Sequence, residues 1–86
     1  MNWNYVVAKK AENDFKLLEK AGLLKKAIQL LLIIKENPFE NPPPYEKLVG
    51  IKDSYSRRID TKHRFVYKIY KKEKIIQIVR MWSHYE

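Results

Sequence analysis

The apolar positions change their spacing along the chain, and each change marks an element. "WNYVVA" (residues 3–8) is short, aromatic and β-branched, the composition of a strand. The spacing then becomes helical. Ala11, Phe15 and Leu18 recur at i, i+4 and i+7 until Gly22 interrupts, and a second helix follows with Leu24, Ala27, Ile28, Leu31 and Leu32 as its core stripe, ending before Pro38. Gly22 is the bend of a helical hairpin. Leu30, Ile33 and Ile34 make the apolar surface of the second helix wider than one face needs; burial under a sheet is the expectation, cover for a partner the alternative.

"NPFENPPPYEKL" (residues 37–48) predicts no regular structure, because Pro42, Pro43 and Pro44 remove three backbone donors and stiffen an extended path. It presents Tyr45 and Glu46 on a rigid support. After Gly50 come three strand-like runs, "SYSRRI" (54–59), "RFVYKIY" (64–70) and "KIIQIVRMWSHY" (74–85), with "DTKH" and "KKE" as turns. Short turns imply an antiparallel meander. Alternation sets Arg64, Val66, Lys68 and Tyr70 on one face and Phe65, Tyr67 and Ile69 on the other, while Ile76, Ile78, Arg80, Trp82 and His84 share a side of the last strand. The expected fold is α+β: a βααβββ two-layer sandwich, one domain over residues 1–86, with a helical hairpin on a twisted, mainly antiparallel sheet.

Composition narrows the function. With no cysteine there is no disulfide framework, no thiolate zinc site and no cysteine nucleophile. Two histidines without metal-ligand spacing predict neither a metal nor a cofactor. The start of the chain lacks the pattern of a signal peptide and "AIQLLLII" is too short to span a bilayer, so a soluble, cytoplasmic protein with no membrane partner is expected. The net charge of +8 is uneven: residues 1–40 carry seven lysines against five acids, residues 41–86 eleven lysines or arginines against five. All four arginines fall in the second half. Arginines among aromatics suit a polyanion, since guanidinium forks pair phosphate and stack on bases, which makes Lys47, Arg57, Arg58 and Arg80 candidate RNA contacts. A solvated basic surface is the plainer reading.

A last strand held by its ladder would fix His84 and Tyr85 at a strand end, where they can face Arg64 and Glu46. Cleaving RNA through its own 2′-hydroxyl needs a base for that hydroxyl, an acid for the leaving 5′-oxygen, and positive charge on the phosphorane-like transition state. Glu46, His84 and Arg64 fit these tasks. An unperturbed glutamate and histidine are ready together between about pH 4.3 and 6.5, and bound phosphates widen that window by raising the histidine. Each residue also has a structural reading: a solvated loop glutamate, an arginine paired with Asp60 or Glu86, a backbone-bonded histidine, a packed terminal tyrosine. His63 adjoins Arg64 and so points to the opposite face of a regular strand, which argues against a two-histidine site.

"NPF", "PYEKL", "YSRRIDTKHRFVYKIY" and the final "SHY" together resemble the YoeB/Txe toxins of the RelE superfamily, over about the whole chain and most specifically over residues 37–86. The resemblance implies a toxin of a bacterial toxin–antitoxin module that cleaves mRNA in the ribosomal A site without metal, leaving a 2′,3′-cyclic or 3′-phosphate and a 5′-hydroxyl. Position by position, the general-base glutamate falls on Glu46, the transition-state arginine on Arg64, the His-Tyr pair on His84 and Tyr85, and a substrate-side basic residue on Arg58. The implied partners are a YefM/Phd-like antitoxin, the ribosome and mRNA, with operator DNA reached only through the antitoxin and a homodimer allowed. Two departures stand out: the chain runs one residue past the tyrosine, to Glu86, and Ser83 precedes the histidine. A non-catalytic ribosome-binding inhibitor and an antitoxin-dependent co-repressor are the alternatives.

Overall fold

The computed structural model of the chain describes residues 3–82. Its elements run β1 (Asn4–Val7), α1 (Lys9–Lys20), α2 (Leu24–Glu36), β2 (Glu46–Lys47), β3 (Ser54–Arg58), β4 (Arg64–Tyr70) and β5 (Ile75–Arg80). The five strands form one sheet in the order β1-β5-β4-β3-β2; β1 is parallel to β5 and the other pairs are antiparallel. Both helices lie on one face, where Ala11, Leu18, Ala27, Leu31 and Ile34 meet Phe65, Tyr67, Ile69, Ile76 and Ile78. The alternation expected for β4 therefore holds, with its odd-numbered side chains in the core after Arg64.

The hairpin bend is a Schellman motif. Leu23 N–H donates to the Leu18 carbonyl at 2.9 Å and Gly22 N–H to that of Glu19 at 3.2 Å, with Gly22 at a φ of +76°. A residue with a Cβ is strained in that conformation, which is why the glycine sits here.

Three expectations need correction. The buried stripe of α2 is Ala27, Leu30, Leu31 and Ile34, while Ile28 and Leu32 are 41% and 57% exposed. Residues 30–34 are all apolar, so spacing alone does not distinguish two adjacent stripes; contact with the sheet selects one. Next, the proline segment does not stay irregular to residue 48. Past Pro44 the backbone regains its N–H groups, and Glu46 and Lys47 pair with Ser56 and Tyr55 as a two-residue edge strand. Finally, the last strand ends at Arg80, with Met81 and Trp82 beyond it; residues 83–85 of the expected run lie outside the described residues. Its register against β4 shifts between Tyr67, opposite Ile78, and Val66, opposite Arg80, so Val79 is the extra residue of a bulge. The expected alternation holds at Arg80, which faces Asp14 on the helix side, and breaks after it: Met81 enters the core at 1% exposure and Trp82 lies against His63, ring centroids 4.3 Å apart. Among the described residues no helix is long and apolar enough to cross a membrane.

Candidate active site

The face of the sheet opposite the helices carries the candidate chemistry. Tyr55 and Arg57 turn toward the core, so the alternate residues of β3, Ser54, Ser56 and Arg58, lie on the open face. Glu46 is the cross-strand neighbour of Ser56, and Arg64 of Arg58. Across this patch Arg64 Nη1 donates to Glu46 Oε1 at 3.2 Å. The Glu46 side chain is 69% exposed and that of Arg64 23%, so the pair contributes about 0–1 kcal/mol and an arriving phosphate can separate it.

Arg58 and Arg64 sit directly opposite each other. Like charges in that relation destabilise a sheet, and their retention on an open face suits an anion between or above them. Pro43, Pro44, Tyr45, Glu46, Ser56 and Arg58 enclose a cleft of about 100 Å³. At its floor the buried Ser56 hydroxyl has no hydrogen-bond partner among the described residues. Lys47, next on the edge strand, is exposed but alternates to the side opposite Glu46.

Two of the basic candidates make hydrogen bonds within the fold. Arg57 is 1% exposed: Nε donates to the Tyr67 hydroxyl at 3.1 Å, Nη1 to the Pro43 carbonyl at 2.6 Å and Nη2 to the Pro38 carbonyl at 3.1 Å. It cannot reach RNA from there. Burial pushes the Tyr67 phenol up from its ordinary value, which keeps it a neutral donor to the Pro38 carbonyl. Arg80 turns to the helix layer, where Nε donates to Asp14 Oδ2 at 2.9 Å and Nη2 to Oδ1 at 3.4 Å; these bonds raise its already high pKa. Two of its three nitrogens thus serve the bond to Asp14, a partner the sequence reading did not foresee. His84 and Tyr85 lie outside the described residues.

His63 precedes β4 and does not join Arg64. Its Nδ1 lies 2.8 Å from Asp60 Oδ1, which also accepts the N–H groups of Lys62 at 2.8 Å and His63 at 2.7 Å. The Lys62 amide first, then the His63 side chain and amide, hold the Asp60 carboxyl down to about 2. Because the folded pKa lies below the unfolded value of about 3.9, the stabilisation is full above pH 4 and is lost as pH falls toward 2. Asp60→Asn should therefore flatten the fall in stability between pH 4 and 2, as read by denaturant unfolding at each pH. An equally steep fall in the variant would contradict this. Among the described residues no group of three His, Asp or Glu side chains could hold a metal ion.

The family model for the YoeB-like toxin of bacterial type II toxin–antitoxin systems matches residues 8–85. The chain belongs to this toxin family. Among solved structures, the fold of the toxin is similar to a YoeB/ParE toxin from Agrobacterium tumefaciens, at a TM-score of 0.85 and 26% identity over 95% of this chain and 99% of that one. A YoeB dimer from Staphylococcus aureus matches at a TM-score of 0.82 and 30% identity, covering 99% of this chain and all of that one. The Staphylococcus aureus YoeB–YefM complex matches at 0.78 and 30%, with the same coverage. Comparison with curated proteins found no match.

In this toxin two contributors escaped the sequence reading. Asp14 is 2% exposed on α1 and accepts the Met81 N–H at 2.9 Å as well as Arg80. The signal was present: Asp14 falls three residues after Ala11 and four before Leu18, on the buried stripe, where a carboxylate requires a cation or N–H partner. Ser56 was equally legible as the open-face residue between Tyr55 and Arg57.

Proposed function

We propose that the toxin is a ribosome-dependent endoribonuclease acting on mRNA in the A site. The observation that carries this reading is the Glu46–Arg64 contact on an open face beside Arg58, which sets a carboxylate and two guanidinium groups within reach of one phosphate. When the RNA phosphate draws Arg64 away, Glu46 is released to take the 2′-hydroxyl proton. The 2′-oxygen then attacks the adjacent phosphorus, and the bond from phosphorus to the 5′-oxygen breaks. Arg64 stabilises the charge that accumulates on the phosphoryl oxygens, and Arg58 holds the phosphate. His84 supplies the proton to the leaving 5′-oxygen, and Tyr85 stacks on a base or donates through its hydroxyl. The products are a 2′,3′-cyclic phosphate and a 5′-hydroxyl.

So small a catalytic set on an open surface does not align RNA by itself. The ribosome supplies that alignment by fixing the decoded mRNA, the contribution otherwise made by an enclosed cleft. An antitoxin similar to YefM, the companion of the Staphylococcus aureus relative, is the proposed neutralising partner, with an acidic segment covering the basic face. Primer extension on one mRNA with and without ribosomes tests the reading: cuts with 5′-hydroxyl ends are expected only with ribosomes present. Translation inhibited without any cut would favour inhibition by occupancy. Ribosome binding should weaken steeply with salt as lysines and arginines displace counterions from rRNA; affinity that is flat from 50 to about 200 mM salt would contradict this docking surface.

A further inference from the structure

We infer that Arg57 is a positioning residue for Glu46, its buried guanidinium stapling the proline loop from inside and fixing where β2 begins. This rests on reading Glu46 as the base. The loop between α2 and β2 contains Pro38, Pro42, Pro43 and Pro44, which have no N–H to give. Such a segment can be fastened mainly through its carbonyl oxygens, so the partner has to be a donor. Arginine offers five N–H groups and no acceptor, in a rigid fork that can span separate oxygens.

Arg57 makes that use of its fork. Nη1 holds the Pro43 carbonyl at 2.6 Å and Nη2 the Pro38 carbonyl at 3.1 Å, so one side chain ties both ends of the loop. Nε takes the Tyr67 hydroxyl, which in turn donates to the Pro38 carbonyl at 3.1 Å. The guanidinium lies 5.0 Å from the centre of the Tyr45 ring, and that ring meets Phe39 and Tyr55 edge-on at 6.1 and 5.8 Å. Tyr45 immediately precedes Glu46. The sheet offers Glu46 little other restraint, because β2 is two residues long and lies at the edge. Fixing the loop three residues upstream and the ring one residue upstream is what leaves the carboxylate facing Arg64.

Lysine in place of Arg57 keeps a charge but has one ammonium, which cannot span the same oxygens. The test is a cycle of variants: Arg57→Lys alone, Glu46→Gln alone, and both together. Single-turnover cleavage is read on saturated ribosomes and affinity with uncleavable 2′-deoxy mRNA. Arg57→Lys should slow cleavage about 10²-fold, as expected when a reacting group moves by roughly 1 Å, with ribosome affinity within about twofold. In the Glu46→Gln background it should slow cleavage no further. An equal loss in both backgrounds would overturn the inference, since the arginine would then act on the fold as a whole, and so would an undiminished rate in Arg57→Lys. A Glu46→Gln enzyme with full rate would instead remove the base assignment and the inference with it. Should Arg57→Lys fail to fold, Tyr67→Phe, which removes one hydroxyl of the staple, carries the same cycle with a loss of roughly tenfold.

Discussion

Glu46→Gln should lower single-turnover cleavage of ribosome-bound mRNA by about 10² to 10⁴-fold while leaving ribosome affinity nearly unchanged. The asymmetry follows from when the interaction is made. A base acts as the proton moves, so its removal is felt in the transition state and hardly at all in the bound ground state. The residue it contacts, Arg64, differs in this respect. In the proposed mechanism it meets a phosphate that is charged before reaction and gains further interaction as negative charge accumulates, so Arg64→Ala should weaken both binding and rate, with rate losing more. Arg64→Lys should restore affinity better than turnover, because a point charge does not hold two oxygens in the geometry of the fork. Binding abolished in Glu46→Gln with the rate spared would make Glu46 a docking residue.

Asp14→Ala should destabilise the fold by about 3 kcal/mol, a fall in Tm of roughly 10–20 °C for a domain of this size. Two losses combine. The Met81 N–H, on a residue 1% exposed, loses the acceptor that holds it, and a buried donor left unmade costs about 1–3 kcal/mol. Arg80 also loses its charge-assisted bonds, but its side chain is 31% exposed and can rehydrate, which keeps the total below the full cost of a buried charge left alone. Asp14→Asn retains an acceptor and should cost less. Urea unfolding of the three proteins distinguishes these outcomes, and an Asp14→Ala variant within 0.5 kcal/mol of the parent would show that neither bond matters. Because Met81 lies three residues before His84 in the chain, loss of this anchor should also slow cleavage at temperatures where the variant is still folded.

How much of this was legible depended on whether a local pattern had one solution. In β4 the period of two, marked by Arg64 and Lys68 on one side, assigns both faces, and the core uses Phe65, Tyr67 and Ile69 as that pattern requires, although Val66 on the other side is also buried. In α2 the run from Leu30 to Ile34 fits two adjacent stripes, and only its packing against the sheet leaves Ile28 and Leu32 outside. The proline run signals a stiff path but conceals the two residues after it that join the sheet. Adjacent arginines in β3 looked alike as RNA contacts, although successive strand residues point to opposite faces and one of the two had to turn inward. That Arg57 is tolerated inside depends on carbonyls supplied by the proline loop, a long-range fact with no local trace. Of the catalytic candidates, Glu46 and Arg64 are brought together by strands that are distant in sequence, and their chemistry, rather than their spacing, was what linked them beforehand. The bond of Arg80 to Asp14 left no local trace, because the two lie sixty-six residues apart.

The most direct test of the account is cleavage of a ribosome-bound mRNA in which the nucleotide on the 5′ side of the cut carries a single 2′-deoxy substitution. The account predicts that cutting at that bond stops while the toxin still binds the complex with its usual affinity, because only the nucleophile has been removed. Continued cutting at the substituted position, at a rate near that of the unmodified message, would contradict it.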